Sequence, residues 1–199
     1  MIAGKLIDLV LQLLGKNDQD FPVGGQEVSA EIEALIASIL ASYVRNGQQI
    51  PDGFYKVYGV PVDYNERRKR HFAYPEGPRF VSLSDNMGVK NVGPSEDEFT
   101  SYIELKSGQL SSTAGLEVQA LGGKTGYWVE GSVIQLHAIP IGTEFVNVRM
   151  IPRFSEVDED EEIFATDEVE AVVIDGAYKR WAPKAQNFQE DKSNDNKKS

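Results

Sequence analysis

The stretch Gly122-Gly123-Lys124-Thr125-Gly126 carries the residue types of a phosphate-binding loop. Such a loop needs a glycine six residues before its lysine and a helix after it, so that backbone amides converge on the phosphates. Position 118 is Val118, and Tyr127-Trp128-Val129, which follows, has strand character. The stretch therefore reads as a Gly-rich turn between strands. Within the acidic loop Glu156–Glu162, EVDEDEE, the run Asp158-Glu159-Asp160-Glu161-Glu162 suggests calcium. A calcium loop starting at Asp158 requires glycine at its sixth place, where Ile163 stands. It reads as a solvated acidic loop that could meet a basic partner. The histidines, His71 and His137, form no HExxH or other local pair. A Ser-His-Asp triad drawn from distant residues stays open, but no G-x-S-x-G elbow supports one. No pairing of carboxylates is legible, so glycoside hydrolysis has no specific support. The chain contains no cysteine, which excludes disulfides, thiolate metal sites and a cysteine nucleophile and suits a reducing compartment. The expectation is no catalytic, cofactor-binding or metal-ligating residue.

One cluster remains: Glu66-Arg67-Arg68-Lys69-Arg70-His71. In an extended strand Arg67 and Lys69 would face one way and Arg68 and Arg70 the other. Three uses are open to it: a solvated hairpin tip, contact with an acidic surface of a neighbouring subunit, or contact with phosphate. Asp158, Glu159 and Asp160 supply an acidic counterpart within the same sequence. Arg67, Arg68, Lys69, Arg70, Asp158, Glu159 and Asp160 are therefore the candidate subunit or partner contacts, and pairing between copies would give a head-to-tail arrangement.

The elements that position these residues follow from periodicity. Ile2, Leu6, Leu9, Val10, Leu13 and Leu14 have helical spacing over residues 1–15, stopped by Gly15. Residues 16–26 read as a polar linker. A second helix spans about 28–46, with Val28, Ile32, Leu35, Ile36, Ile39, Leu40 and Tyr43 recurring at three and four residues. Glu27, Glu31 and Glu33 suit its start, and Gly47 its C-terminal cap. Ala34, Ala37 and Ala41 leave room for close approach by another helix.

From 51 to 153 short β-type runs take over, at 54–62, 79–83, 99–105, 115–121, 126–131, 132–139 and 144–151, separated by Gly- and Pro-rich turns. Tyr127-Trp128-Val129 and Val133-Ile134-Gln135-Leu136 flank a tight hairpin turn. Thr166 can cap a third helix with Val169, Val172 and Val173 as its apolar stripe, ended by Pro183. The residues after about Asn187 are polar and of low complexity, and are expected to be disordered alone.

The order predicts an α+β fold: a small helical body with an inserted antiparallel β-sandwich or barrel-like domain. Its parts are an N-terminal helical part (1–50), a β-rich domain (51–153), an acidic loop and C-terminal helix (154–186) and a tail (187–199). At 199 residues, 41% of them hydrophobic, the chain can bury a real core. Its net charge of −11 favours protein partners over general DNA binding, yet suits the lining of a DNA conduit, where repulsion keeps the polyanion from sticking. The apolar N-terminal stretch is interrupted by Lys5 and Asp8 and lacks an A-x-A-like cleavage site. At about 14 residues it falls short of the roughly 20 that span a bilayer, so it reads as an amphipathic or buried helix.

The run Pro51–Pro94 also has a recognisable order. Val60-Pro61-Val62 leads to Arg67-Arg68-Lys69-Arg70, then to Phe72 and Tyr74 and a Pro-rich turn. Val81-Ser82-Leu83, Asp85-Asn86-Met87-Gly88-Val89 and Val92-Gly93-Pro94 follow. Further on come Gly126-Tyr127-Trp128-Val129-Glu130-Gly131 and Val148-Arg149-Met150-Ile151-Pro152, then the acidic loop and a helix. This order resembles ring or adaptor proteins at the head-to-tail connector of short-tailed, crAss-like bacteriophages, over about two thirds of the chain. The apolar first helix has no counterpart in that pattern. The resemblance implies a non-enzymatic virion protein of the neck or tail, assembled in the host cytoplasm. It implies a homo-oligomeric ring, dodecameric, between portal and tail proteins, in transient contact with genomic DNA and with no membrane or cofactor.

Two rivals stand beside it. One is a β-sandwich binding module for a carbohydrate or protein ligand, with Trp128, Tyr127, Tyr102 and Phe99 as an aromatic platform. The other is a hydrolase whose triad is assembled from distant residues and includes His137.

Overall fold

A computed structural model of the chain describes residues 3–13, 25–97, 100–105, 124–163, 167–177 and 179. Two compact units emerge: residues 1–54 with 157–199, and residues 55–156. In chain order the second is inserted into the first. The architecture is α+β: among the described residues, three helices lie in one unit and a nearly closed, barrel-like sheet in the other.

In the helical unit, α1 spans Ala3–Leu13 and α2 Gly25–Arg45. α2 starts earlier than its apolar pattern suggests, and takes in Gly25 and Gln26 from the expected linker. Ile32, Ile36 and Leu40, four residues apart, are its buried stripe, with Leu35, Ile39 and Tyr43 half-buried beside it. Its end is fixed by Gly47, whose φ of +65° suits a residue without a Cβ. There the Gly47 N–H donates to the Val44 carbonyl and the Gln48 N–H to the Tyr43 carbonyl, the paired bonds of a Schellman cap.

The third helix, α3, covers 167–177. Val169, Val173 and Ala177 are buried, again at steps of four. Val172, expected in that stripe, lies instead on the exposed side, because one residue's rotation about the helix carries it away from the buried line. A Cβ on Gly176 would sit 3.2 Å from Leu35 Cδ1, so the missing side chain lets α3 approach α2 closely.

The barrel unit has seven strands among the described residues: β1 Lys56–Asn65, β2 Arg70–Ala73, β3 Val89–Pro94, β4 Ile103–Glu104, β5 Gly126–Glu130, β6 Val133–His137 and β7 Phe145–Met150. Their order across the sheet is β3-β7-β1-β2-β6-β5-β4. β1 is the hinge of the fold. Residues 56–61 pair with β7 and residues 62–65 with β2, so one long strand serves both halves. At the seam the Tyr102 N–H donates to the Val92 carbonyl of β3 at 2.7 Å, while the Ile103 N–H donates to the Thr125 carbonyl beside β5 at 3.0 Å. The two ends of the sheet thus meet through the Tyr102–Val92 backbone bond, which shields part of the open edge.

The sheet is mixed rather than wholly antiparallel, because β4 runs parallel to β5. A long excursion between these strands, mostly outside the described residues, permits the crossover that a parallel pair requires. The interior is filled by Val60, Ala73, Val92, Tyr127, Ile134, Leu136, Val146, Val148 and Met150, which alternate along the strands with outward residues.

The β-type runs differ from the strands in identifiable ways. Residues 79–83 form no strand: Phe80 makes one isolated bridge, to Pro152. Of 99–105 only Ile103–Glu104 is a strand, and the run 115–121 lies outside the described residues. So do Thr166 and the polar tail at 187–199. No helix among the described residues is long and apolar enough to cross a membrane.

Candidate functional site

The basic cluster forms the turn between β1 and β2. Asn65 pairs with Arg70, which leaves residues 66–69 as a four-residue loop. Asn65 Oδ1 accepts the Arg68 N–H at 2.9 Å, a side-chain brace typical of turns. Lys69 takes φ +51° to bring the chain back into β2. The segment is therefore a turn rather than the extended strand on which alternation was argued, and only Arg70 lies in a strand.

The four cations nevertheless divide in the same pairs. Arg68 reaches Glu130 of β5 at 3.6 Å, and Glu130 also accepts Gln135 Nε2 at 3.3 Å. The Arg70 guanidinium lies 5.3 Å from the centre of the Trp128 ring, within cation–π range. Both thus face the barrel, and the Arg70–Trp128 contact is the one that helps fix the tip. Arg67 and Lys69 are exposed and have no side-chain partner among the described residues. Next to them Tyr64 is half exposed, its ring 4.9 Å from that of His71.

Asp158, Glu159 and Asp160 are all exposed, in the helical unit. Their loop also has a local task that its acidity alone does not reveal. The Ala3 N–H donates to the Glu161 carbonyl at 2.9 Å and the Gly4 N–H to the Glu159 carbonyl at 2.8 Å. Two of the four amides that open α1 are thus satisfied by this loop, and its carboxylates add negative charge near a helix N-terminus.

The other sequence motifs resolve simply. Gly122 and Gly123 lie outside the described residues, and Lys124-Thr125 lead directly into β5, where a phosphate loop would need a helix. Register sets His71 opposite Leu136, so His137, one residue on, points to the other face of the sheet. Among the described residues no group of three His, Asp or Glu side chains could hold a metal ion. Trp128 and Tyr127 are 8% and 3% exposed and cannot present a platform; Phe99 lies outside the described residues. Burial, with the Glu104 carboxylate second, pushes the Tyr127 hydroxyl far above its ordinary pKa.

A second surface lies where β3 ends and β7 begins. A cleft of about 380 Å³ is lined by Pro94, Glu96, Tyr102, Ile141, Glu144 and Phe145 among others. Pro140–Thr143 form a tight turn, in which the Thr143 N–H and Oγ1 both donate to the Pro140 carbonyl, at 3.3 and 2.9 Å, and Gly142 takes φ +87°. That turn holds Ile141 wholly in solvent, and Phe145 is 47% exposed. Burial raises the Tyr102 hydroxyl. The sequence reading missed this cleft, because Ile139-Pro140-Ile141-Gly142 looks like the end of a strand; an isoleucine beside a Pro/Gly turn was the available signal.

No family model matches the chain, and no curated protein matches it. Three surfaces stand out: the cationic tip, the cleft and the 158–160 loop. None of them groups the nucleophile, base and oxyanion donors of covalent catalysis. What they offer is charge and exposed apolar area, the ingredients of association.

Proposed function

We propose that the chain is a non-enzymatic structural component of a virion, a head-to-tail connector ring through which phage DNA passes. The observation that carries the reading is the pair Arg67 and Lys69. In a chain with 20 cations against 31 acids, two cations stand on a braced turn without a side-chain partner among the described residues. Their natural complement is the acidic surface of another copy. Because tip and acidic surface are different patches, the contact is heterologous, and repeated contacts of that kind close into a ring when the rotation allows.

The barrel, inserted in chain order between α2 and α3, agrees with the order of segments that resembles connector proteins. The net charge of −11 gives an assembled lumen weak affinity for DNA, which favours passage. In this reading the copies form a dodecamer, bind portal and tail proteins on its two sides, and sit in the neck of the particle.

Native mass spectrometry with and without candidate portal protein tests it. The expected result is a large discrete assembly, alone or on the portal. A strict monomer that ignores the portal at all protein concentrations rejects it.

A further inference from the structure

We infer that the β1–β2 tip of one copy docks in the cleft where β3 ends and β7 begins on the next, with Arg67 and Lys69 against its carboxylates. The cleft combines two things the tip needs. Part of its lining is apolar: Ile141 stands wholly exposed on the Pro140–Thr143 turn, with Phe145, Tyr102 and Pro94 also lining the cleft among polar groups. Its rim carries Glu96 and Glu144, both exposed and without a side-chain partner among the described residues. The tip is the complement: Tyr64 offers an exposed aromatic face and Arg67 and Lys69 offer the charges. The backbone on both sides is held in shape before contact, the tip by Asn65 and by Arg70 over Trp128, the cleft by the Pro140–Thr143 turn, so little backbone freedom is lost on docking.

The 158–160 loop is the rival for the same cations, and magnitude decides between them. An exposed ion pair gains little against water and salt. Burying a fully exposed isoleucine gains several-fold more. Interfaces are held by desolvated aromatic and apolar anchors inside a charged rim, which the cleft has. The loop offers carboxylates alone, and its carbonyls are already engaged by α1.

The contact deepens the ring reading and rests on it for closure, but a chemical test separates the two. The chain has no cysteine, so two single-cysteine copies can be mixed and joined only where they meet. Arg67→Cys is mixed with Glu144→Cys, each copy distinguishable by mass, and treated with a short bis-maleimide linker; Glu96→Cys serves as a second rim position. All three side chains are exposed, so the fold tolerates them. The expected product is a mixed dimer with either rim position and none with Glu76→Cys, which lies in an exposed loop elsewhere. A mixed dimer with Glu159→Cys in place of the rim positions overturns the cleft in favour of the acidic loop, and absence of any mixed dimer overturns the contact altogether. Light scattering on the unmodified chain reports separately on the ring: assemblies without rim cross-links leave the ring and remove this contact, whereas rim cross-links between copies that never build a closed assembly support the contact and remove the ring.

Discussion

Glu156 ties residues distant in sequence to one another. Its carboxylate accepts the Arg79 guanidinium and the Arg79 N–H, the latter at 2.8 Å, and Arg153 lies 3.8 Å away. The side-chain bond from Arg79 chiefly, against partial desolvation, holds the carboxyl below its usual value of 4.5. A group whose pKa is lower folded than unfolded stabilises the fold above the unfolded value, and this contribution disappears as pH falls through the folded one. We therefore expect Glu156→Gln to cost about 1 kcal/mol at pH 7 and progressively less below pH 4.5. Urea unfolding at pH 7 and pH 3 measures it. A difference that stays constant with pH would mean that packing, not charge, is what Glu156 contributes. None of this was legible in the sequence, because Arg79 and Glu156 are 77 positions apart and their meeting depends on Phe80 bridging to Pro152. The basic tip was legible for the opposite reason: four consecutive cations can only face water, a partner, or one another's neighbours.

At the level of elements, α2 and α3 were readable because each shows its buried stripe at steps of four: Ile32, Ile36 and Leu40 in α2, Val169 and Val173 in α3. β2 and β3 were not. β2 hides inside the basic run, with Ala73 its one fully buried residue. β3 contains Gly93 and Pro94, which read as punctuation between strands. Gly93 is there for space: a Cβ would lie 2.1 Å from the Thr100 carbonyl oxygen, at the seam where residues 100–102 close the sheet. Gly59 of β1 makes the contrast, since a Cβ there meets nothing within 4 Å. Gly93→Ala should cost roughly 2–3 kcal/mol as the seam is forced apart. Gly59→Ala should be neutral or stabilise by about 0.5 kcal/mol, through the unfolded chain. Thermal unfolding of the two variants decides it. Equal melting temperatures would mean that the seam between β3 and residues 100–102 opens without consequence for the barrel.

For the molecule as a whole, the net charge of −11 and the cationic tip pull assembly in opposite directions, and salt separates them. Copies brought together repel through their summed charge, which acts over the Debye length: about 30 Å at 0.01 M salt but about 10 Å at 0.1 M. The tip–cleft pairs act at contact distance and are lost only when screening reaches that scale, about 3 Å at 1 M. Low salt therefore leaves repulsion dominant, intermediate salt removes repulsion while leaving the pairs, and high salt weakens the pairs as well. We expect the assembled fraction to peak near 0.1–0.2 M and fall on both sides, with Arg67→Ala/Lys69→Ala losing the fall at high salt because no pairs remain to be screened. Light scattering across a salt series gives the curve. A steady rise to 1 M would show that apolar contact through Ile141 and Phe145 holds the copies together without the ion pairs. A steady fall from 0.01 M would show that local attraction outweighs the summed charge at every distance that matters.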